Sequence, residues 1–189
     1  GQVCYEKSFG SFTYDVDSIR VTNSNLFDLA SVTKVAATTL AVMKLYETKK
    51  IDLNKPLSFY LPELAKTNKK SITVKQVLLH EAGLQAWIPF YQKAIKDTTA
   101  FSKTESAEYP IAVADSMFLR KGYTDTLWKT IYKSPVGPAG KYVYSDLDFI
   151  FLKKLVEKQT GMNFEKYVNQ TFYEPLELTT TCYNPLQYF

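Results

Sequence analysis

The sequence has one histidine, His80, and two cysteines, Cys4 and Cys182, which lie near opposite ends of its 189 residues. A single histidine excludes Ser-His-Asp and Cys-His mechanisms unless His80 itself serves. Two cysteines without CxxC or histidine spacing make no metal site, and their spacing does not decide whether they pair. No apolar run is long enough to span a membrane. The opening GQVCYEKSFG has no signal-peptide pattern and reads as a strand already under way. A basic run interleaved with aromatics is also missing. The lysines are scattered in pairs such as Lys49–Lys50 and Lys153–Lys154, so the net charge of +4 reads as a solvated surface rather than a nucleic-acid footprint. What is present is globular: 46% hydrophobic and 22% charged residues, in a length suited to one domain.

Periodicity organises the chain. QVCYEKSF alternates, Gly10-Ser11 marks a turn, and SFTYDVDSIRV is again extended, which predicts an N-terminal hairpin. From Ala30 to about Lys49, Val35, Thr38/Thr39, Val42 and Leu45/Tyr46 recur at helical spacing, with Ala36 and Ala37 allowing close packing. IDLNKPLSFYLPEL, broken by Pro56 and Pro62, predicts turns and short helical pieces. Thr73 and Gln76 form a capping-box pattern before a short helix, with Gly83 as its expected stop. Residues 85–138 read as a long aromatic-rich excursion with one or two helices, expected to build one wall of a cleft. SDLDFIFLKKLVEKQTG predicts an amphipathic helix ending at Gly161, and Asn163 caps another that Pro175 closes.

Two places carry candidate chemistry. In FDLASVTKVAATTL, Ser31 and Lys34 stand three residues apart at a helix start, so both project from the same face. The first turn of a helix offers outward backbone N–H groups, and the Ser31 N–H is a candidate oxyanion donor. Lys34 could take the hydroxyl proton if neutral or stabilise an alkoxide if charged. S-x-x-K alone is a common spacing, and a polar helix start with a solvent-facing lysine explains it equally well. The setting before an Ala-rich apolar helix favours chemistry. The second place is Tyr144-Ser145-Asp146, at a corner before the next long helix. Tyr144 is a candidate proton shuttle and Asp146 a candidate holder of an ammonium, while Ser145 or Asp146 could equally be a simple N-cap.

Taken together, FDLASVTK, IDLNKPLSFYLPEL, ITVKQVLLHEAGL, YSD and GMNFEKYVNQTFYEPLELTTT resemble successive segments of the serine β-lactamase and penicillin-binding-protein superfamily, in the branch of class C β-lactamases, D,D-peptidases and related esterases. The resemblance runs nearly end to end. It implies an α+β fold, here a predominantly helical piece with an N-terminal strand pair of the central antiparallel sheet. It also implies a serine hydrolase mechanism through an acyl-enzyme on an amide or ester. Ser31 would be the nucleophile, Lys34 and Tyr144 would share the proton work, and Asp146 would bind substrate or orient the lysine. No cofactor or metal is implied. The substrate would be a small molecule or cell-wall peptide, and the location periplasmic or secreted. At His80 the family has a structural position.

Two departures qualify the match. Asp146 stands where the family has asparagine, and an ionised carboxylate can only accept hydrogen bonds, which favours a charged Lys34. The family's third box, Lys-Thr-Gly or His-x-Gly, does not occur in the sequence. Residues 1–189 are therefore expected to be a single but incomplete domain, inactive in isolation and prone to self-association through unpaired sheet edges. The competing reading is a non-catalytic module that binds glycan or peptide, attached in some chains to a glycoside hydrolase.

Overall fold

A computed structural model describes residues 2–185. Among the described residues, seven α-helices and a small antiparallel sheet make the chain α+β, as expected. The helices are α1 (Leu40–Glu47), α2 (Leu57–Tyr60), α3 (Val74–Leu78), α4 (Phe90–Lys96), α5 (Tyr123–Lys133), α6 (Asp146–Thr160) and α7 (Phe164–Val168). The strands β1 (Phe101–Ser102), β2 (Ile111–Ala114) and β3 (Met117–Leu119) pair in the order β1-β3-β2.

Helix α6 is the centre of the core. Leu147, Phe151, Leu152, Leu155 and Val156 are buried on it, and they pack with Ala41, Val42 and Leu45 of α1, Leu57 of α2 and Val74 and Val77 of α3. Its ends are those its sequence specifies. The Ser145 hydroxyl accepts from the Leu147 N–H at 3.1 Å, and Gly161 closes the helix at φ 69°. The Thr73–Gln76 capping box forms in both directions. Asn163 accepts from the Lys166 N–H at 3.1 Å to open α7. Beneath the α5 terminus the fully buried Lys69 ammonium donates to the carbonyls of Tyr132 and Ser134, and burial pushes its pKa down to about 8.

The helix expected from Ala30 is continuous but not uniform. It starts as a 3-10 turn (Ala30–Val32), widens to a π-helical stretch (Lys34–Thr39) and settles into α1. The buried stripe is Ala37, Thr38, Ala41, Val42 and Leu45, while Val35 and Tyr46 face solvent. The wide turn takes Val35 off the stripe that α-helical spacing predicts.

Three expectations are corrected. The N-terminal hairpin closes through one antiparallel bridge, Ser11 to Arg20, with Phe12 N–H donating to the Ile19 carbonyl; no ladder strands form there among the described residues. The strand pairing lies instead at 101–119, inside the excursion. In that excursion Trp128 and Tyr132 stack and pack on the main core rather than facing a cleft. Finally, Gly83 does not stop α3. His80 does, in the left-handed region at φ 57°, with its N–H on the Val77 carbonyl and the Glu81 N–H on the Gln76 carbonyl, the paired bonds of a Schellman motif. Gly83 has another task. A Cβ there would meet the Gly137 carbonyl oxygen at 2.3 Å, because the Gly137 N–H donates to the Gly83 carbonyl at 2.7 Å.

Candidate active site

Two backbone features bring the distant site residues together. The first is the close approach at Gly83, which starts a zipper between residues 80–86 and 137–146. Gly140 N–H donates to the Glu81 carbonyl (2.9 Å), Val143 N–H to that of His80 (2.8 Å) and Asp146 N–H to that of Ala86 (2.8 Å). The Ser145 hydroxyl adds a bond to the Gln85 carbonyl at 2.5 Å. This places Tyr144-Ser145-Asp146 at the start of α6. The second feature is the turn before α1. Ala30 lies at φ 42°, a conformation costly for a residue with a Cβ, and its N–H is held by the Asp28 carboxylate at 2.8 Å. Ser31 leaves that turn exposed to solvent.

All four expected site residues meet. Lys34 Nζ donates to Ser31 Oγ at 3.0 Å and to Asp146 Oδ1 at 2.6 Å, and lies 4.9 Å from the centre of the Tyr144 ring. Phe149, one turn into α6, presents its ring centre to the same ammonium at 5.9 Å. Ser145 is the N-cap of α6, so the cap and the lysine partner are adjacent but separate residues.

The charges are ordered. Burial opposes the charge on Lys34, but the hydrogen bond to Asp146 and interactions with Tyr144 outweigh it and hold the ammonium above its usual range. Lys34 is therefore a cation here rather than a free amine. The Tyr144 phenol is held below its usual range, first by Lys34 and then by Ser31. The Asp146 side chain is half exposed, so the ion pair adds little to stability; its effect is to aim and charge the lysine.

Sequence reasoning did not single out Asp28, Phe149 or Asp148. Asp28 carries a local signal, an Asx residue two before a strained backbone position. Asp148 pairs with His80 across the zipper, Oδ2 to Nδ1 at 2.7 Å. Burial raises the Asp148 carboxyl from about 3.8 to about 6. The folded chain then holds that proton more tightly than the unfolded chain does, so between about pH 4 and 6 the Asp148 contribution to stability falls as pH rises. Asp148→Asn should remove this slope; urea midpoints across that window that show the same slope in both proteins would contradict it. Neither cysteine is paired.

The surroundings are open. A cavity of about 960 Å³ is lined by Asn163, Tyr173 and Cys182 among others, but not by Ser31, Lys34 or Tyr144. Among the described residues no group of acidic, histidine and cysteine side chains could hold a metal, and no helix is long and apolar enough to cross a membrane.

Comparison with known proteins places the fold and the family. The fold is that of β-lactamases and transpeptidase-like proteins: a β-lactamase/D-alanine carboxypeptidase from Pseudomonas syringae superposes with a TM-score of 0.61 over 90% of this chain and 41% of its own, at 18% identity. FmtA from Staphylococcus aureus matches with a TM-score of 0.61 at 27% identity, over 88% of this chain and 40% of that protein. The profile of the Beta-lactamase family matches residues 1–188, and the chain belongs to that family. A Salmonella schwarzengrund protein named "Putative D-alanyl-D-alanine carboxypeptidase" is 32% identical over 96% of this chain. The chain spans 39% of that relative's length.

Proposed function

We propose that the chain carries the nucleophile half of a serine hydrolase that works through an acyl-enzyme, with Ser31 as nucleophile. The observation that carries this reading is the Lys34 ammonium, in contact with Ser31 Oγ and Asp146 together and facing Tyr144. A lysine that only decorated a helix start would not converge with residues more than a hundred positions away.

The charge order supports the following roles. Ser31 Oγ bonds to the substrate carbonyl carbon while its proton passes to the Tyr144 oxygen, the more acidic phenol serving as the shuttle in its ionised form. Lys34, already a cation, stabilises the developing alkoxide and the phenolate instead of acting as base. The proton then goes to the leaving amine or alcohol as its bond to the carbonyl carbon breaks. Water reverses the sequence to release the acid. The Ser31 N–H supplies one oxyanion donor. Asp146, accepting only, keeps Lys34 charged and cannot donate to a substrate amide as an asparagine would.

The family and the carboxypeptidase-named relative support a peptide ending in D-amino acids as substrate, with an ester as the less demanding variant. The same relationship supports a periplasmic or secreted location. The family's third box does not occur within residues 1–189, and the chain spans 39% of its curated relative; both support reading residues 1–189 as a single, incomplete domain. Its exposed apolar side chains, including Val3, Tyr5 and Phe9, favour self-association.

Turnover assays test the reading. The whole protein should release D-alanine from a D-alanyl-D-alanine peptide or p-nitrophenol from an ester, and Ser31→Ala should abolish it. The 189-residue chain should turn over neither these substrates nor nitrocefin at an appreciable rate. A whole protein that binds glycan or peptide but hydrolyses none of the substrates would favour the non-catalytic module. Fast turnover by the isolated chain would refute the division of the site.

A further inference from the structure

His80 occupies a costly place for a histidine. The left-handed residue after a helix is normally glycine or asparagine, which escape most of the Cβ penalty. Here it is a buried imidazole at φ 57°. Its ring is packed by the Tyr144 ring (centres 4.7 Å apart), Phe149 (5.3 Å) and Tyr142 (5.9 Å), so it lies directly under the candidate tyrosine.

The hydrogen bonds at Nδ1 restrict where the protons can be. The Ser145 N–H points at Nδ1 from 3.2 Å, and an N–H can only be received by a lone pair. Asp148 Oδ2 lies 2.7 Å from the same nitrogen, a contact that needs a proton between the two atoms. If Nδ1 keeps its lone pair for Ser145, that proton belongs to Asp148. The other oxygen, Asp148 Oδ1, is buried with no hydrogen-bond partner among the described residues, an unfavourable place for a full negative charge.

We propose that His80 and Asp148 form a positioning pair for the Tyr144-Ser145-Asp146 turn, in which a protonated Asp148 and the Ser145 N–H share the single lone pair of His80 Nδ1 as a three-centre hydrogen bond, the Asp148 contact being the shorter. Loss of the Asp148 proton transfers the donor role to the imidazole. The ring proton then moves from Nε2 to Nδ1, and the Ser145 N–H loses its acceptor. The peptide that joins Tyr144 to the N-cap of α6 is released from beneath, and Tyr144 shifts against Lys34. The raised pKa of Asp148, about 6, sets where this happens. The charged and titratable neighbours are Asp148 on α6, Tyr142 and Tyr144 on the turn, and Glu81 beside His80 in the chain. Lys34 also reaches the Tyr144 ring, its ammonium 4.9 Å from the ring centre and paired with Asp146. The proposal rests on Tyr144 belonging to the site, but not on Ser31 being reactive.

The single histidine makes the test direct. Long-range proton–nitrogen NMR of the 189-residue chain shows one imidazole, titrated from well below to well above pH 6. The expected result is an Nε2-protonated ring at the low end that changes to the Nδ1-protonated form. The Ser145 amide and the Tyr144 ring signals should move with the same midpoint. Asp148→Asn, whose amide can donate to Nδ1 at every pH, should lock the low-pH tautomer and remove the step from all three signals. His80→Asn, suited both to the left-handed backbone and to accepting the Ser145 N–H, should keep the Ser145 amide near its low-pH position, whereas His80→Ala should not. A ring protonated on Nδ1 throughout, or a tautomer change that Ser145 and Tyr144 do not follow, overturns the proposal. The titration of the unsubstituted chain decides this even if the variants misfold. A tautomer step in a protein whose Ser31 is inert would remove the hydrolase reading and leave the positioning pair supported.

Discussion

Lys34→Met in the whole protein is expected to slow acylation of Ser31 by about a hundred- to thousandfold, the usual loss when a preorganised charge at a developing oxyanion is removed. Methionine has similar length, so the fold should survive; the ion pair it breaks is half exposed on its Asp146 side and worth little. The rate should fall further than for Asp146→Asn. That variant leaves the ammonium beside Ser31 and gives Lys34 a neutral partner, restoring the residue type the family uses at this position. The comparison separates charge stabilisation from lysine orientation. Single-turnover acylation with a slowly hydrolysed penicillin or ester measures both. Equal rates for the unsubstituted protein and Lys34→Met would show that the 3.0 Å contact between Lys34 and Ser31 has no part in the chemistry.

The second large effect is structural. Gly83→Ala should destabilise the chain by about 2–4 kcal/mol, combining the left-handed backbone cost with a forced separation of packed segments. The obstacle is the Gly137 backbone, which cannot rotate away as a side chain could. The bond between Gly83 and Gly137 starts the zipper that ends at Tyr144 and Asp146, so this substitution should also disperse the site. Urea unfolding measures the first consequence and the Ser145 amide signal the second. A change below about 0.5 kcal/mol, the range of an ordinary surface substitution, would contradict the role given to the close approach.

Local rules made the helices legible. The Thr73–Gln76 box, the Ser145 and Asn163 caps and the Gly161 stop each depend on residues within four positions of one another, so their physics is complete in the sequence. The strands were different. Alternation at Val3, Tyr5 and Lys7 reports which side chains share a face but not whether a partner strand exists, and Val3 and Tyr5 are exposed. The strands that do form are two to four residues long, too short for a period to show. Their hairpin turns at Ser116, in the left-handed region without a glycine to announce it.

At the candidate site, Ser31 and Lys34 were legible because they lie one helical turn apart. Tyr144 and Asp146 were legible as candidates at a helix corner, but only the resemblance joined them to Lys34, because Asp146 lies 112 residues away in the chain. The His80–Asp148 pair left no sequence trace at all, because its members are 68 residues apart and meet only once the zipper closes. Gly83 shows the opposite failure. A glycine soon after a helix matches a C-cap pattern, but here backbone contact with Gly137 requires it, and a histidine takes the cap.

The central claim is that Ser31 is a nucleophile activated by Lys34 and Tyr144. Intact-mass spectrometry of the whole protein after exposure to a fluorophosphonate or penicillin probe, followed by peptide mapping, addresses it most directly. The account predicts one adduct, on Ser31, absent in Ser31→Ala and greatly slowed in Lys34→Met. A protein that stays unlabelled, or that carries its adduct on another residue, would contradict it.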